Sequence, residues 1–565
     1  MKKFSWLLLV VVLLVCASAA VAESSFIEVE NVGEIEGSRF FLYTPSELYN
    51  PSAMMTPVIY VFPDKAYATK DDAFAALQAA GLIDIAENEK GVIIAVNPLG
   101  ETWAKADVDV YEAIEVDTYF ARRGGGPHGV TQHNLQYVIG EGAGATFINQ
   151  CLSQDCKRIA GALTFGGEYT FAYQLYHMPA YIVSGDEGAI EFFKGTNQTD
   201  AEKTENGKTI YYNTVNPVQQ VVVSDAQATS LDAAVIADCW NTMFRYTTRL
   251  SLPTSAFSFA YPKYNTADFT LMSRPNYEAA GMQVIWHGGN PLWEDDKGAC
   301  WYEFVPAAAQ NAAEGETFPL LLVLHGANNH PIFEAESNGW AQLAIDHNLI
   351  AVSPSAPAFG VNDADITALF GLIDYMIDKY PIDISRVYVV GFSMGAMNTL
   401  SLVGTHPEVF AAASPMAAPF YNGLGIDPAA FDYDIDVPLC ILGNQFDENN
   451  ADTGILTNSY KYPLSFNDFA VLNEIPPYEG EIDIVKYPYW GIPFQDNARY
   501  MNKAGFPHNV GYWYDDDGVP MVCSIMVEDL THNHFVEDAE VIWRWMQNFS
   551  RDPETKAIIY ATNAN

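Results

Sequence analysis

Along the chain, short runs of apolar and β-branched residues alternate with longer stretches of helical period. Pro57–Val61, Ile94–Val96, Tyr137–Ile139, Leu320–Leu324, Ile350–Val352, Tyr388–Val390 and Val437–Leu442 are such runs. This alternation predicts a mainly parallel sheet wrapped by helices, an α/β fold. Val541, Ile542, Trp545 and Phe549 recur at helical spacing, which predicts a closing helix packed on the sheet.

The pattern occurs twice. A shift of 251 residues lays Tyr388–Ala396 on Tyr137–Ala145 without a gap, and Ala411 and Ala413 on Ala160 and Ala162. Ile350–Pro354 matches Ile94–Pro98, Pro319–Val323 matches Pro57–Val61, and Val437–Gly443 matches Met178–Gly185. Four matches in one order argue for two copies of one domain. The stretch 251–281 shows no clear period and is rich in Pro, Ser, Tyr and Thr in its first part, which predicts a linker between domains at 23–250 and 282–565.

In the second copy the repeated run ends in Gly391-Phe392-Ser393-Met394-Gly395, a G-x-S-x-G sequence between a strand and a helix. Such a turn is tight and pushes the serine hydroxyl out at the carboxyl end of a parallel strand. Ser393 is therefore the candidate nucleophile, and it needs a neighbouring base to take its proton. An acid and a base are expected after it, in that order. Strand Val437–Leu442 runs into Gly443-Asn444-Gln445-Phe446-Asp447-Glu448, where Asp447 is the chosen acid and Glu448 its reserve. The base is expected from Glu528–Phe535, where His532 is preferred to His534. The run Leu320–Leu324 ends in His325-Gly326-Ala327-Asn328-Asn329. The backbone N–H groups of Ala327 and Met394 are the expected oxyanion donors, with His325 a structural loop residue. Tyr489 and Trp490 stand in an aromatic-rich stretch, 453–519, and with Asn328 are candidate substrate contacts; ordinary packing of an insert is the other reading. Asp515-Asp516-Asp517-Gly518 lacks the spacing of a calcium loop and reads as a hairpin turn.

Composition narrows the setting. The chain has 565 residues, is 49% hydrophobic, and carries 28 Lys+Arg against 70 Asp+Glu, a net charge of −42. A chain so acidic should repel nucleic acid and anionic membranes. A charged start, the apolar run Trp6–Val15 and Ala20-Val21-Ala22 make 1–22 a predicted secretory signal peptide, and Val15 before Cys16 does not fit a lipoprotein box. A free secreted product is expected. Beyond it stand Cys151, Cys156, Cys239, Cys300, Cys440 and Cys523, at no zinc-like spacing. Cys151 and Cys156 are close enough for a small disulfide loop; buried free thiols are the alternative.

The segments Leu324-His325-Gly326, Asp383-Ile-Ser-Arg386-Val-Tyr-Val-Val-Gly-Phe-Ser393-Met-Gly-Ala396 and His532…Trp543…Phe549-Ser550-Arg551 resemble secreted esterases of the α/β-hydrolase superfamily. The group most resembled is the polyhydroxyalkanoate depolymerases and the feruloyl and acetylxylan esterases, over about 280–553. The resemblance implies hydrolysis of a carboxylic ester, in a polymer or on a plant cell-wall side chain, with no metal or organic cofactor. Many members carry His-Gly before the acid loop; here Leu442-Gly443 stands, with one extra residue before Asp447.

The first copy has Gly142 at the serine's place, Phe62-Pro63 at the His-Gly place, and no histidine in Val221–Thr229, the stretch matching the base loop. It keeps the acids Asp186 and Glu187. It is expected to retain the fold without the chemistry, as a docking platform, a polymer-binding module or a lid. For the whole chain, a non-catalytic carbohydrate- or partner-binding protein and a serine peptidase or thioesterase are the alternatives to an esterase.

Overall fold

The computed structural model describes residues 24–45, 57–119, 126–131, 134–170, 176–250, 270–288, 300–327, 329–355, 363–417, 431–445, 467, 469–483 and 485–561. The expected signal peptide, Asn328, Asp447, Glu448 and most of 251–281 lie outside these residues.

Two ten-stranded sheets form, one from each half, and their strand order is the same. Counted along each half it is 1-2-4-3-5-6-7-10-9-8. In both, strands 4, 3, 5, 6, 7 and 10 run parallel, and antiparallel pairs extend either edge. The central strands are buried along their length: Phe318–Leu324 has no exposed position. Continuous burial follows from helices covering both faces of a parallel sheet. In the first half the pleat sorts side chains by parity. Val58, Tyr60 and Phe62 join the core on one face, Ile59 and Val61 the core on the other.

The duplication extends to contacts far apart in sequence. Tyr137 donates its hydroxyl to the Thr247 carbonyl at 2.6 Å, and Tyr388 to the Phe549 carbonyl at 2.7 Å. Arg249 donates from Nε to Ile159 O at 2.5 Å, and Arg551 to Phe410 O at 2.7 Å. One sequence match shifts. Leu320 pairs with Ile350 as Val58 pairs with Val92, so Val92 rather than Ile94 is the counterpart of Ile350. A slip of two residues leaves every side chain on its own face, so the apolar pattern alone does not resolve it.

The described part of the expected linker is ordered. Leu271–Ser273 pairs antiparallel with Thr247–Arg249, and Arg274 bonds the buried carboxylate of Glu336 in the second half through Nε (3.0 Å) and Nη2 (3.2 Å). Tyr277 adds its hydroxyl to the same carboxylate at 2.9 Å. All six cysteines beyond the predicted signal peptide are free thiols. The Cys151–Cys156 bridge is therefore not made; Cys156 is buried and directs its thiol to Tyr176 O at 3.3 Å. Asp515–Gly518 is a turn between strands Pro507–Trp513 and Val522–Val527, closed by Gly518 N–H to Asp515 O at 3.2 Å.

Candidate functional site

Strand Ile382–Phe392 ends at the serine turn, and helix Met394–Thr405 starts directly after it. Ser393 sits at φ 54°, ψ −114°, where an L side chain is strained. Its neighbours force the turn. A Cβ on Gly391 would lie 2.3 Å from Gly395 O, and one on Gly395 would lie 2.2 Å from Leu324 O. Gly391 is therefore a steric requirement of the helix packed against the strand before it, and Gly395 of the same helix start packed against the neighbouring strand Phe318–Leu324.

His532 Nε2 lies 2.8 Å from Ser393 Oγ, although the two are 139 residues apart. With the imidazole neutral and Nε2 unprotonated, the serine hydroxyl donates to it. Among the described residues, two contacts bear on the imidazole. Phe392 packs against its ring at 5.0 Å. Asn444, fully buried at the end of strand Leu439–Asn444, donates Nδ2 to the carbonyls of both Thr531 and Asn533, each at 2.7 Å. Asn444 thus clamps the backbone on either side of His532. Nothing in the sequence marks it beyond its place at the end of an apolar strand.

His534 is only two residues on but turns inward. It is buried, lies 2.7 Å through Nε2 from Ser337 Oγ, and is pulled down to about 3 by burial and by the neighbouring His532. It stays neutral and serves the packing beneath the site. His325 is also buried, with Nδ1 2.7 Å from Gly326 O.

Gly326 and Ala327 pass beside the serine. A Cβ on Gly326 would stand 3.4 Å from the Ser393 Cβ, and Asn329 N–H closes the turn on Gly326 O at 3.1 Å. Glu334 supports this turn from below. Its buried carboxylate accepts from Asn329 Nδ2 at 2.7 Å, from Asn338 Nδ2 and from the Gly326 backbone N–H. Burial still pushes it up to about 8, against those donors and His532. Glu334, like Asn444, was not a sequence candidate: a glutamate usually marks a solvated face.

Tyr489 is half-buried and gives its hydroxyl to Glu528 at 2.6 Å. Trp490 stands as the packing alternative expects. It is buried, bonds Ser524 Oγ at 3.2 Å, and packs edge-on against Phe494 and Trp513. An indole so enclosed covers the edge strands.

The first half repeats the turn with the roles exchanged. Gly142 has φ 53°, ψ −117°, the conformation of Ser393. Register places Phe62 opposite Gly140 as Leu324 lies opposite Gly391, so Pro63-Asp64, and not the expected Phe62-Pro63, stands at the His-Gly place, with Asp64 the counterpart of Gly326. Asp64 Oδ1 accepts from Ala143 N–H at 2.9 Å, and a Cβ on Gly142 would come within 2.2 Å of that oxygen. Where one half has a serine beside a glycine, the other has a glycine beside an aspartate. The retained acid Asp186 caps a helix, accepting from Gly188 N–H at 2.7 Å.

Comparison with known proteins gives partial matches. The prolyl oligopeptidase family (Peptidase_S9) matches residues 361–432. The poly(3-hydroxyalkanoate) depolymerase C of Paucimonas lemoignei is 33% identical over 119 residues, 18% of this chain and 28% of that protein. A bifunctional acetylxylan esterase/xylanase of Neocallimastix patriciarum is 34% identical over 107 residues, 18% of this chain and 16% of that protein. Feruloyl esterase B of Neurospora crassa is 31% identical over 108 residues, 17% of this chain and 37% of that protein. The chain thus spans well under half the length of these curated relatives. An acetyl xylan esterase structure from Aspergillus awamori aligns over 47% of this chain and 98% of its own, at 16% identity and a TM-score of 0.31. The strand order, the glycine-flanked serine turn and these sequence relatives together identify the chain as similar to the esterase group of the α/β hydrolases, with the fold present twice and degenerate in its first copy.

Proposed function

We propose that the second half is a serine esterase that cleaves carboxylic esters through an acyl-enzyme. The observation that carries this is the 2.8 Å approach of His532 Nε2 to Ser393 Oγ at a strained, glycine-flanked turn. Ser393 attacks the ester carbonyl while His532 takes its proton. The developing oxyanion is received by the N–H groups of Ala327 and Met394. His532 then returns the proton to the departing alcohol, and water attacks the acyl-serine by the same route. Asp447, with Glu448 in reserve, is assigned to orient His532. The substrate class is an ester of a polymer or plant cell-wall side chain, such as a feruloyl, acetyl or hydroxyalkanoate ester, and the matched relatives support that range. The apolar start at 1–22 supports export to the outside of the cell.

The test is hydrolysis of p-nitrophenyl acetate and labelling by a fluorophosphonate. Wild type should be active and labelled, and Ser393→Ala should lose roughly a thousandfold or more in kcat and all label. Activity equal in both proteins sinks the assignment. A folded, unlabelled wild type favours a binding protein. The match to the prolyl oligopeptidase family favours a peptidase as the second reading, and turnover of peptide p-nitroanilides in place of esters would select it.

A further inference from the structure

The first half contains a cavity of about 490 Å³ directly over its degenerate turn. That is within the ordinary range of small-ligand sites. Its walls come from four segments: Asp64, Trp103, helix residues Thr146, Phe147 and Gln150, and Glu168. They are held in place. Trp103 stacks on Phe147 at 4.9 Å and anchors its indole N–H on Pro63 O at 2.7 Å. Glu168 N–H bonds Thr146 Oγ1 at 2.9 Å, and Gln150 reaches Glu168 O at 3.4 Å. Close packing of Gly167 on the helix, where a Cβ would meet the Ala145 Cβ at 2.7 Å, fixes the far wall.

We propose that this cavity binds a neutral polyhydroxylated ring, a sugar unit of an oligosaccharide. None of the lining residues is cationic, two are carboxylates, and the chain carries a net charge of −42, so an anion is repelled. Carboxylates accept strongly from hydroxyl donors, and the half-buried Trp103, backed by the buried Phe147, offers an apolar surface to the C–H face of a ring. An organic cation would also suit acids beside an indole. However, the Asp64 charge is already met by Ala143 N–H at a helix start, and the Thr102 and Gln150 side chains are polar partners a quaternary cation has no use for. The absence of a side chain at Gly142 keeps the floor open. The site does not depend on the chemistry assigned to Ser393.

The test is calorimetric titration of the full chain with xylohexaose, cellohexaose, mannohexaose and maltohexaose, and separately with tetramethylammonium chloride. At least one sugar should bind saturably. Trp103→Ala, Glu168→Gln and the cavity-filling Thr102→Trp should each weaken it roughly tenfold or more, with far-ultraviolet circular dichroism and a cooperative thermal unfolding transition like those of wild type as the control for folding. Ser393→Ala should bind the sugar as wild type does. Binding of none of the four sugars overturns the proposal. So does sugar binding unchanged in Glu168→Gln and Thr102→Trp, which would place it elsewhere, and so does binding of tetramethylammonium alone.

Discussion

Replacing Ser393 by glycine should abolish hydrolysis and at the same time stabilise the second half relative to Ser393→Ala. Both variants lose the hydroxyl and its hydrogen bond to His532, so that contribution cancels between them. What differs is the Cβ. At φ 54°, ψ −114° it holds strain of about 1–3 kcal/mol. Glycine relieves that strain but loses about 0.4–1 kcal/mol through its freer unfolded chain. The net is roughly 0–2.6 kcal/mol in favour of glycine, or up to about 5 °C in Tm for a domain of this size. Scanning calorimetry at one pH and scan rate reads it. The first half supplies the converse: Gly142→Ala places a Cβ at φ 53° and about 2.2 Å from Asp64 Oδ1, and should cost about 2 kcal/mol or more. If Ser393→Gly melts at or below Ser393→Ala, or Gly142→Ala is neutral, the serine turn is not the strained element argued here.

Two further expectations concern groups away from the hydroxyl. Glu334 is raised by burial from the ordinary 4.5 to about 8, so the folded state holds its proton more tightly. Its stabilising contribution is complete below about 4.5 and is lost as pH rises through about 8; urea midpoints of wild type should fall across that window, while Glu334→Gln should lack this step and, with the Gly326–Asn329 turn loosened, show kcat lower by roughly tenfold. A wild-type profile with no such step would contradict it. Arg274→Ala leaves the Glu336 carboxylate buried with the Tyr277 hydroxyl in place and its ion pair gone, at about 3–5 kcal/mol; scanning calorimetry should show the loss, and Glu336→Gln added to it should recover part.

The sequence by itself determined what depends on neighbours a few residues apart. The strand–turn–helix around Ser393 is legible because Gly391 answers to Gly395 O within the same turn and the first copy repeats the glycines around Gly142, whereas the need for Gly395 comes from Leu324 O on the neighbouring strand. The duplication is legible because apolar runs recur in one order, although a two-residue slip at Val92 escaped the pattern since it preserves the face. Only the tertiary structure tells the surroundings of His532 from those of His534. The two share one loop, and what separates them is Ser393 on one side and Ser337 on the other, 139 and 197 residues away. The same holds for Asn444, Glu334 and Asp64. Each is a common polar residue whose role comes from the backbone groups that distant segments bring to it: two carbonyls flanking His532, the N–H of Gly326, the N–H of Ala143. Local sterics are written into adjacent residues, whereas the pairing of buried polar groups is settled only when the sheet closes and each must find its partner.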